Sequence, residues 1–115
     1  MSLPSFDEDI TDEEVERMVR NATQASEFLK ALSQESRLLI LCALIGGEKS
    51  VTELEQFLSA RQAAVSQQLA RLRLQGLVQT RREGKTIYYS LTDDRPKRII
   101  KVVYDMFCRD DEAPR

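Results

Sequence analysis

The apolar period of this chain changes at Gly76, and few folds accommodate that change at this point. Before it, apolar residues recur three or four apart, as on one face of a helix. After it, in "LVQTRREGKTIYYSL", Ile87, Tyr89 and Leu91 fall on one side of a strand and Thr86, Tyr88 and Ser90 on the other. Glu83, Gly84 and Lys85 separate two such runs, so the segment reads as a β-hairpin with a basic tip. Upstream, "TELE" (52–55) and "SARQ" (59–62) are capping boxes. The first opens a third helix of about two turns ending at Leu58, and the second opens a fourth that stops at Gly76. Two helices joined by so few residues and followed by a hairpin predict a winged helix–turn–helix.

The other elements complete that pattern. "TDEE" (11–14) is a capping box that opens a long first helix to about Leu32. Ser33 can cap a second helix, Glu35 to Ile45, which Gly46 and Gly47 end. Asp93 or Asp94 caps a last helix that tolerates Pro96 in its first turn and runs to about Cys108. The expected fold is mainly α with a small β-hairpin wing, in the order α-α-α-α-β-β-α. Residues 1–10 read as a short disordered acidic tail, 11–108 as one winged-helix domain, and 109–115 as a frayed tail. At 115 residues the chain has room for one core. The longest apolar run, "LLILCALI" at Leu38–Ile45, is far short of a membrane span, and "MSLPSFDEDI" puts acids where a secretory signal would be basic and then apolar. A cytoplasmic protein is expected.

The charge is unevenly distributed. Residues 61–98 hold nine bases (Arg61, Arg71, Arg73, Arg81, Arg82, Lys85, Arg95, Lys97, Arg98) against three acids (Glu83, Asp93, Asp94), although the whole chain has a net charge of −2. A basic segment within an acidic protein is the footprint expected of a nucleic-acid face, and a solvated basic surface would share it. A helical wheel separates the two sides of the fourth helix. Val65, Leu69 and Leu72 share one side, opposite Ala63, Gln67 and Ala70, with Ser66 and Arg71 on the shoulders. Small residues beside a glutamine permit close approach to a groove floor, Gln67 and Ser66 can bond base edges, and Arg71 can reach guanine or phosphate. Arg61, Gln62 and Ala63 lie at the helix start, where phosphates are favoured and where a recognition helix enters the major groove. Arg81, Arg82 and Lys85 of the hairpin would then reach flanking phosphates or the minor groove. The partner predicted is double-stranded operator DNA. An enzyme is not expected: the chain has no histidine, no Gly-rich phosphate loop and no nucleophile–base pair.

The last helix has two apolar stripes, Ile99, Val102, Val103 and Met106, and Ile100, Tyr104 and Phe107. One serves the subunit's own core and the other a partner, which predicts a homodimer. Of the two cysteines, Cys42 lies inside "LLILCALI" and Cys108 ends "RIIKVVYDMFC". Free cysteine often serves as a small buried hydrophobe, so a purely structural reading stays open for both. In a reducing cytoplasm a bond between them would be regulatory. Apolar neighbours disfavour ionisation of Cys42, whereas Arg109 could favour a Cys108 thiolate.

The stretch "ALSQESRLLILCALIGGEKSVTELEQFLSARQAAVSQQLARLRLQGLVQTRREGKTIYYSLTD" resembles the ArsR-type bacterial repressors along nearly the whole chain. The resemblance implies a homodimer built through the first and last helices that leaves its operator when an inducer is sensed. Gln68 departs from the histidine of many members, with little expected consequence for DNA reading. The arsenic- and cadmium-type site needs cysteines where this chain has "KSVTELEQF", and the zinc- and nickel-type site needs histidines on the last helix. Neither set is present, so no metal and no cofactor are expected. A cysteine in the second helix and another ending the last helix resemble the sulfide-responsive branch. In that branch the matching pair, here Cys42 and Cys108, reacts with persulfides to form a polysulfide or disulfide bridge, and DNA affinity falls. The implied inducers are inorganic or organic persulfides. A general peroxide or disulfide-stress sensor of the same fold, and a constitutive regulator with structural cysteines, are the alternatives.

Overall fold

A computed structural model describes residues 9–58 and 65–108, in the order α1 (Asp12–Leu32), α2 (Glu35–Ile45), β1 (Lys49–Ser50), α3 (Val51–Leu58), α4 (Val65–Leu74), β2 (Val78–Glu83), β3 (Thr86–Leu91) and α5 (Arg95–Phe107). The three strands form one antiparallel sheet in the order β1-β3-β2. This is the expected winged helix with one short strand added. The predicted box at 59–62 and both tail ends, 1–8 and 109–115, lie outside the described residues.

Thr11 caps α1 as expected, its hydroxyl accepting the Glu14 N–H at 3.1 Å. Acids Asp12, Glu13 and Glu14 fill the first turn and Lys30 the last, as the helix dipole favours. Ser33 does not cap α2. It sits in the αR region at φ −79°, whereas a cap at a helix start is extended, and its N–H and hydroxyl both donate to Lys30 O. It therefore closes α1, and Gln34 precedes α2 with no side-chain cap. The box at α3 is also displaced by two residues. Ser50 Oγ accepts the Glu53 N–H at 3.1 Å and Glu53 Oε1 accepts the Ser50 N–H at 2.9 Å. "SVTE" and "TELE" overlap with the same spacing. The earlier one acts because Ser50 is held in β1, opposite Tyr88 of β3.

α4 ends in a Schellman motif: Leu77 N–H donates to Leu72 O and Gly76 N–H to Arg73 O, both at 3.0 Å, with Gly76 at φ +75°. The hairpin runs in register from Val78 opposite Leu91 to Glu83 opposite Thr86, and Gly84 turns it at φ +63°. At α5, Asp93 makes the capping bond, its Oδ1 accepting the Arg95 N–H at 2.9 Å.

α2 lies at the centre and packs on α1, α3, α4, α5 and β3. Ile40, Leu41 and Leu44 meet Leu54 and Leu58 of α3, Val65, Leu69 and Leu72 of α4, and Leu77 and Val78, in one buried cluster. The stripes of α5 divide differently from expectation. Pro96 is buried, Ile99 and Ile100 pack on the core and Val103 is half-buried, whereas Val102, Tyr104, Met106 and Phe107 are exposed. Residues four and seven apart stay within about 40° of one line, so Pro96, Ile100 and Val103 turn inward together. Val15, Val19 and Leu29 of α1 are exposed as well. Among the described residues no helix is long and apolar enough to cross a membrane.

Leu69 is fully buried and Leu74, on the same helix, is 89% exposed. Leu69→Ala should cost about 2–5 kcal/mol in urea unfolding, and Leu74→Ala less than about 0.5 kcal/mol, at equal protein concentration. Equal losses would remove the assignment of the inward face of α4.

Candidate nucleic-acid face and thiol pair

The wheel of α4 folds as its spacing requires. Val65, Leu69 and Leu72 are buried, and Ser66, Gln67, Ala70, Arg71 and Arg73 are exposed on a helix with no acid. Among the described residues neither Arg71 nor Lys85 has an ion-pair partner, so both positive charges are available to a ligand. Arg61, Gln62 and Ala63, assigned to the start of this helix, lie outside the described residues.

The wing separates its three bases. Arg82 and Lys85 are exposed at the tip, with Arg82 Nε donating to Gly84 O at 3.1 Å. Arg81 is committed inside the subunit. Its Nε donates to Glu48 Oε2 at 3.1 Å, a terminal nitrogen reaches Glu48 Oε1, and the other reaches Glu83 Oε2 at 2.9 Å. The guanidinium also lies over the Tyr88 ring, 4.9 Å from its centroid. The Arg81 hydrogen bonds hold the Glu48 carboxyl below the usual carboxylate range, and the two carboxylates hold Arg81 more firmly charged. Arg81 thus braces the wing to the turn before β1, and much of its charge is answered before any phosphate arrives. Sequence reasoning missed Glu48. The only signal for it was an acid in "GGEKS" whose partner is 33 positions away.

Cys42 is on α2 and Cys108 follows the last turn of α5, and these two helices pack on each other. Both thiols are free; Cys42 is half-buried and Cys108, the C-cap of α5, is exposed, with its backbone N–H donating to Tyr104 O at 2.8 Å. Burial pushes the Cys42 thiol above its ordinary range, and negative charge on Cys108 pushes it further. The apolar surroundings of Cys42 act as the sequence suggested, and Arg109 lies outside the described residues. Among the described residues no group of three or more Cys, Asp and Glu is arranged to hold a metal ion.

A cavity of about 490 Å³ opens between α1 and the start of α5, lined by Gln24, Glu27, Phe28, Gln75, Leu77 and Arg95. Arg95 is paired with Asp93 at 3.0 Å and stacked over Phe28 at 5.4 Å. It lies between α1 and α5, both of which carry exposed apolar residues. Sequence reasoning also passed over Arg37, which bonds α1 and, through Gln68, α4.

Comparison with known proteins agrees with this geometry. Residues 34–80 match the family described as "Bacterial regulatory protein, arsR family". The chain is 45% identical over 95 residues to the biofilm growth-associated repressor of Agrobacterium fabrum, covering 83% of this chain and 81% of that protein. HlyU of Vibrio cholerae, named a transcriptional activator, is 41% identical over 83% of this chain and 88% of its own. Its structure in a form described as reduced superposes with a TM-score of 0.72 at 42% identity, covering 80% of this chain and 97% of that one. The transcriptional repressor BigR of Xylella fastidiosa superposes with a TM-score of 0.70 at 39% identity, covering 86% of this chain and 98% of that one.

Unequal exposure and charge make a direct forecast. With limiting iodoacetamide, Cys108 should be alkylated first, and the rate at Cys42 should rise with pH along a curve displaced to the alkaline side of a free thiol. Peptide mass mapping reads both sites; faster labelling of Cys42 at neutral pH would contradict the assignment.

Proposed function

Given that this chain belongs to the arsR family of bacterial regulatory proteins, and is a DNA-binding transcriptional regulator rather than an enzyme, we propose that it is a cytoplasmic homodimeric repressor that senses reactive sulfur through Cys42 and Cys108. The observation that carries this reading is the placement of the two free thiols, a half-buried Cys42 on α2 and an exposed Cys108 at the end of α5, on helices that pack against each other. The exposed Cys108 thiolate attacks the outer sulfur of a persulfide RSSH, taking that sulfur and releasing RSH after protonation. Cys42 then attacks the inner sulfur of the new Cys108 persulfide, closing a disulfide and releasing hydrogen sulfide. Two thiols are oxidised and one sulfane sulfur is reduced. Each further sulfur kept in the bridge consumes one more RSSH and releases one more RSH. Peroxide would close only the disulfide.

On operator DNA, α4 enters the major groove, with Arg61, Gln62, Ala63, Ser66, Gln67 and Arg71 at the base edges and phosphates. Arg82 and Lys85 touch flanking phosphates, and Arg81 holds the wing in position through Glu48. The apolar faces of α1 and α5 form the dimer. The bridge ties α5 to the helix that supports α4 and moves two reading heads that must match one turn of DNA, about 34 Å. A coupling of 1–3 kcal/mol lowers affinity about 5- to 150-fold and derepresses sulfide-response genes.

Intact mass and gel shift together test the sensor. An organic persulfide should convert the reduced protein to a species lighter by two hydrogens, or by two hydrogens with a whole number of sulfurs added, linked between Cys42 and Cys108, and DNA should be released in proportion. Release without a change in mass refutes it, as does equal release of a Cys42→Ser variant. An equal response to peroxide would favour general thiol-stress sensing. For the DNA contact, Lys85→Ala should lower the slope of log affinity against log salt by about one; an unchanged slope would take the wing tip off the phosphates.

A further inference from the structure

One polar link joins the dimerisation helix to the reading helix. Arg37, in the first turn of α2, is half-buried and distributes its guanidinium over four acceptors. Nε donates to Ala31 O at 2.9 Å and one terminal nitrogen to Lys30 O at 3.0 Å, which satisfies carbonyls in the last turn of α1. The other terminal nitrogen donates to Gln34 Oε1 at 3.1 Å and to Gln68 Oε1 at 3.3 Å. Gln68 lies on the flank of α4, half-buried, beside the outward Gln67 and next to the buried Leu69. A single planar group thus touches the end of α1, the start of α2 and the side of α4. A lysine could not do this, because its three donors radiate from one atom.

We propose that Arg37 and Gln68 form a positioning pair that fixes the rotation of α4 relative to α1, and through it the separation of the two reading heads; this rests on the DNA-binding dimer proposed above. The hydrophobic contacts between α2 and α4 are non-directional and allow small rotations. A fork of hydrogen bonds does not. α1 carries exposed Val15, Val19 and Leu29, which await the partner subunit, and α4 carries the reading face. A link between them matters most when both heads are engaged at once. Gln68 is then a residue whose effect on DNA comes through Arg37 and not through a base.

The test uses full-length reduced protein and a duplex with two half-sites, recovered from a random-sequence pool by the native chain. A second duplex carries one of those half-sites. Gln68→Leu should weaken binding to the two-site duplex about fivefold or more, while its affinity for the single half-site matches the native chain. Arg37→Lys should give a similar pattern, and the double variant should lose no more than either single one, since both remove the same link. Gln68→Leu leaves three Arg37 bonds in place and keeps the test decisive if Arg37→Lys loosens α1. Equal loss on both duplexes means that Gln68 touches DNA itself, and no loss on either means that the link does not position α4; each overturns the proposal. A native chain that selects no two-site duplex overturns the dimeric reading and this pair with it. Native selection with an indifferent Gln68→Leu overturns the pair alone.

Discussion

The burial of α2 is the constraint on which the rest of the molecule depends. Its sequence, "ESRLLILCALI", is apolar on every side after the first turn, and a helix of that kind must be surrounded. α1, α3, α4, α5 and β3 each supply part of the cover. The reading helix rests on α2 through Leu69 and Leu72, and α5 rests on it through Ile99 and Ile100. Cys42 and Arg37 are residues of α2 itself, two of its few positions that carry polar or reactive atoms.

Electrostatics divides the molecule along lines that net charge conceals. The fold keeps acids off α4, yet it brings Glu48 from a distant turn to the root of the wing. One arginine of the wing is thereby converted from a free charge into a brace, while the tip keeps Arg82 and Lys85 exposed. Surface ion pairs contribute little stability. The role of this one is geometric, because a two-stranded ribbon projecting from a small domain needs a third attachment to hold its angle. β1, paired with β3 through Lys49 and Ser50, supplies another.

The long first helix, the glycine stop after α4, the hairpin and the buried side of α4 were legible in the sequence because each rests on a local signal: a cap, a glycine stop or a repeated spacing. What escaped was non-local or too short to have a period. β1 has two residues and therefore no alternation to detect. Ser33 and Thr52 were misread because a capping residue is identified by backbone conformation as well as by type, and overlapping boxes share one spacing. The two apolar stripes of α5 were drawn by sequence spacing alone, whereas the inward line is set by where α5 crosses α2. Glu48 with Arg81, and Arg37 with Gln68, are pairs 33 and 31 residues apart, which only the folded chain brings together. Cys42 and Cys108 were legible as a pair through the resemblance to the sulfide-responsive branch, since position alone left a structural reading open, and their unequal exposure belongs to the fold.

The common support has a consequence for any signal passing from thiols to DNA. A bond between α2 and α5 joins two elements that are already packed, so it has little freedom to alter the buried cluster, where interiors are dense and side chains interlock. The displacement must appear where packing is looser, in the part of α5 that reaches past the core with Val102, Tyr104, Met106 and Phe107 exposed. That stretch is the surface proposed to meet the partner subunit. Under the proposed dimer, a bridge at its end would act on the angle between subunits before it acted on α4 within one subunit. Each reading helix, held by Leu69, Leu72 and the Arg37–Gln68 link, then moves as a rigid part of its own domain. The distance between the two heads changes while the face each presents does not, so the bridged protein should retain its hold on a single half-site even as it releases the pair.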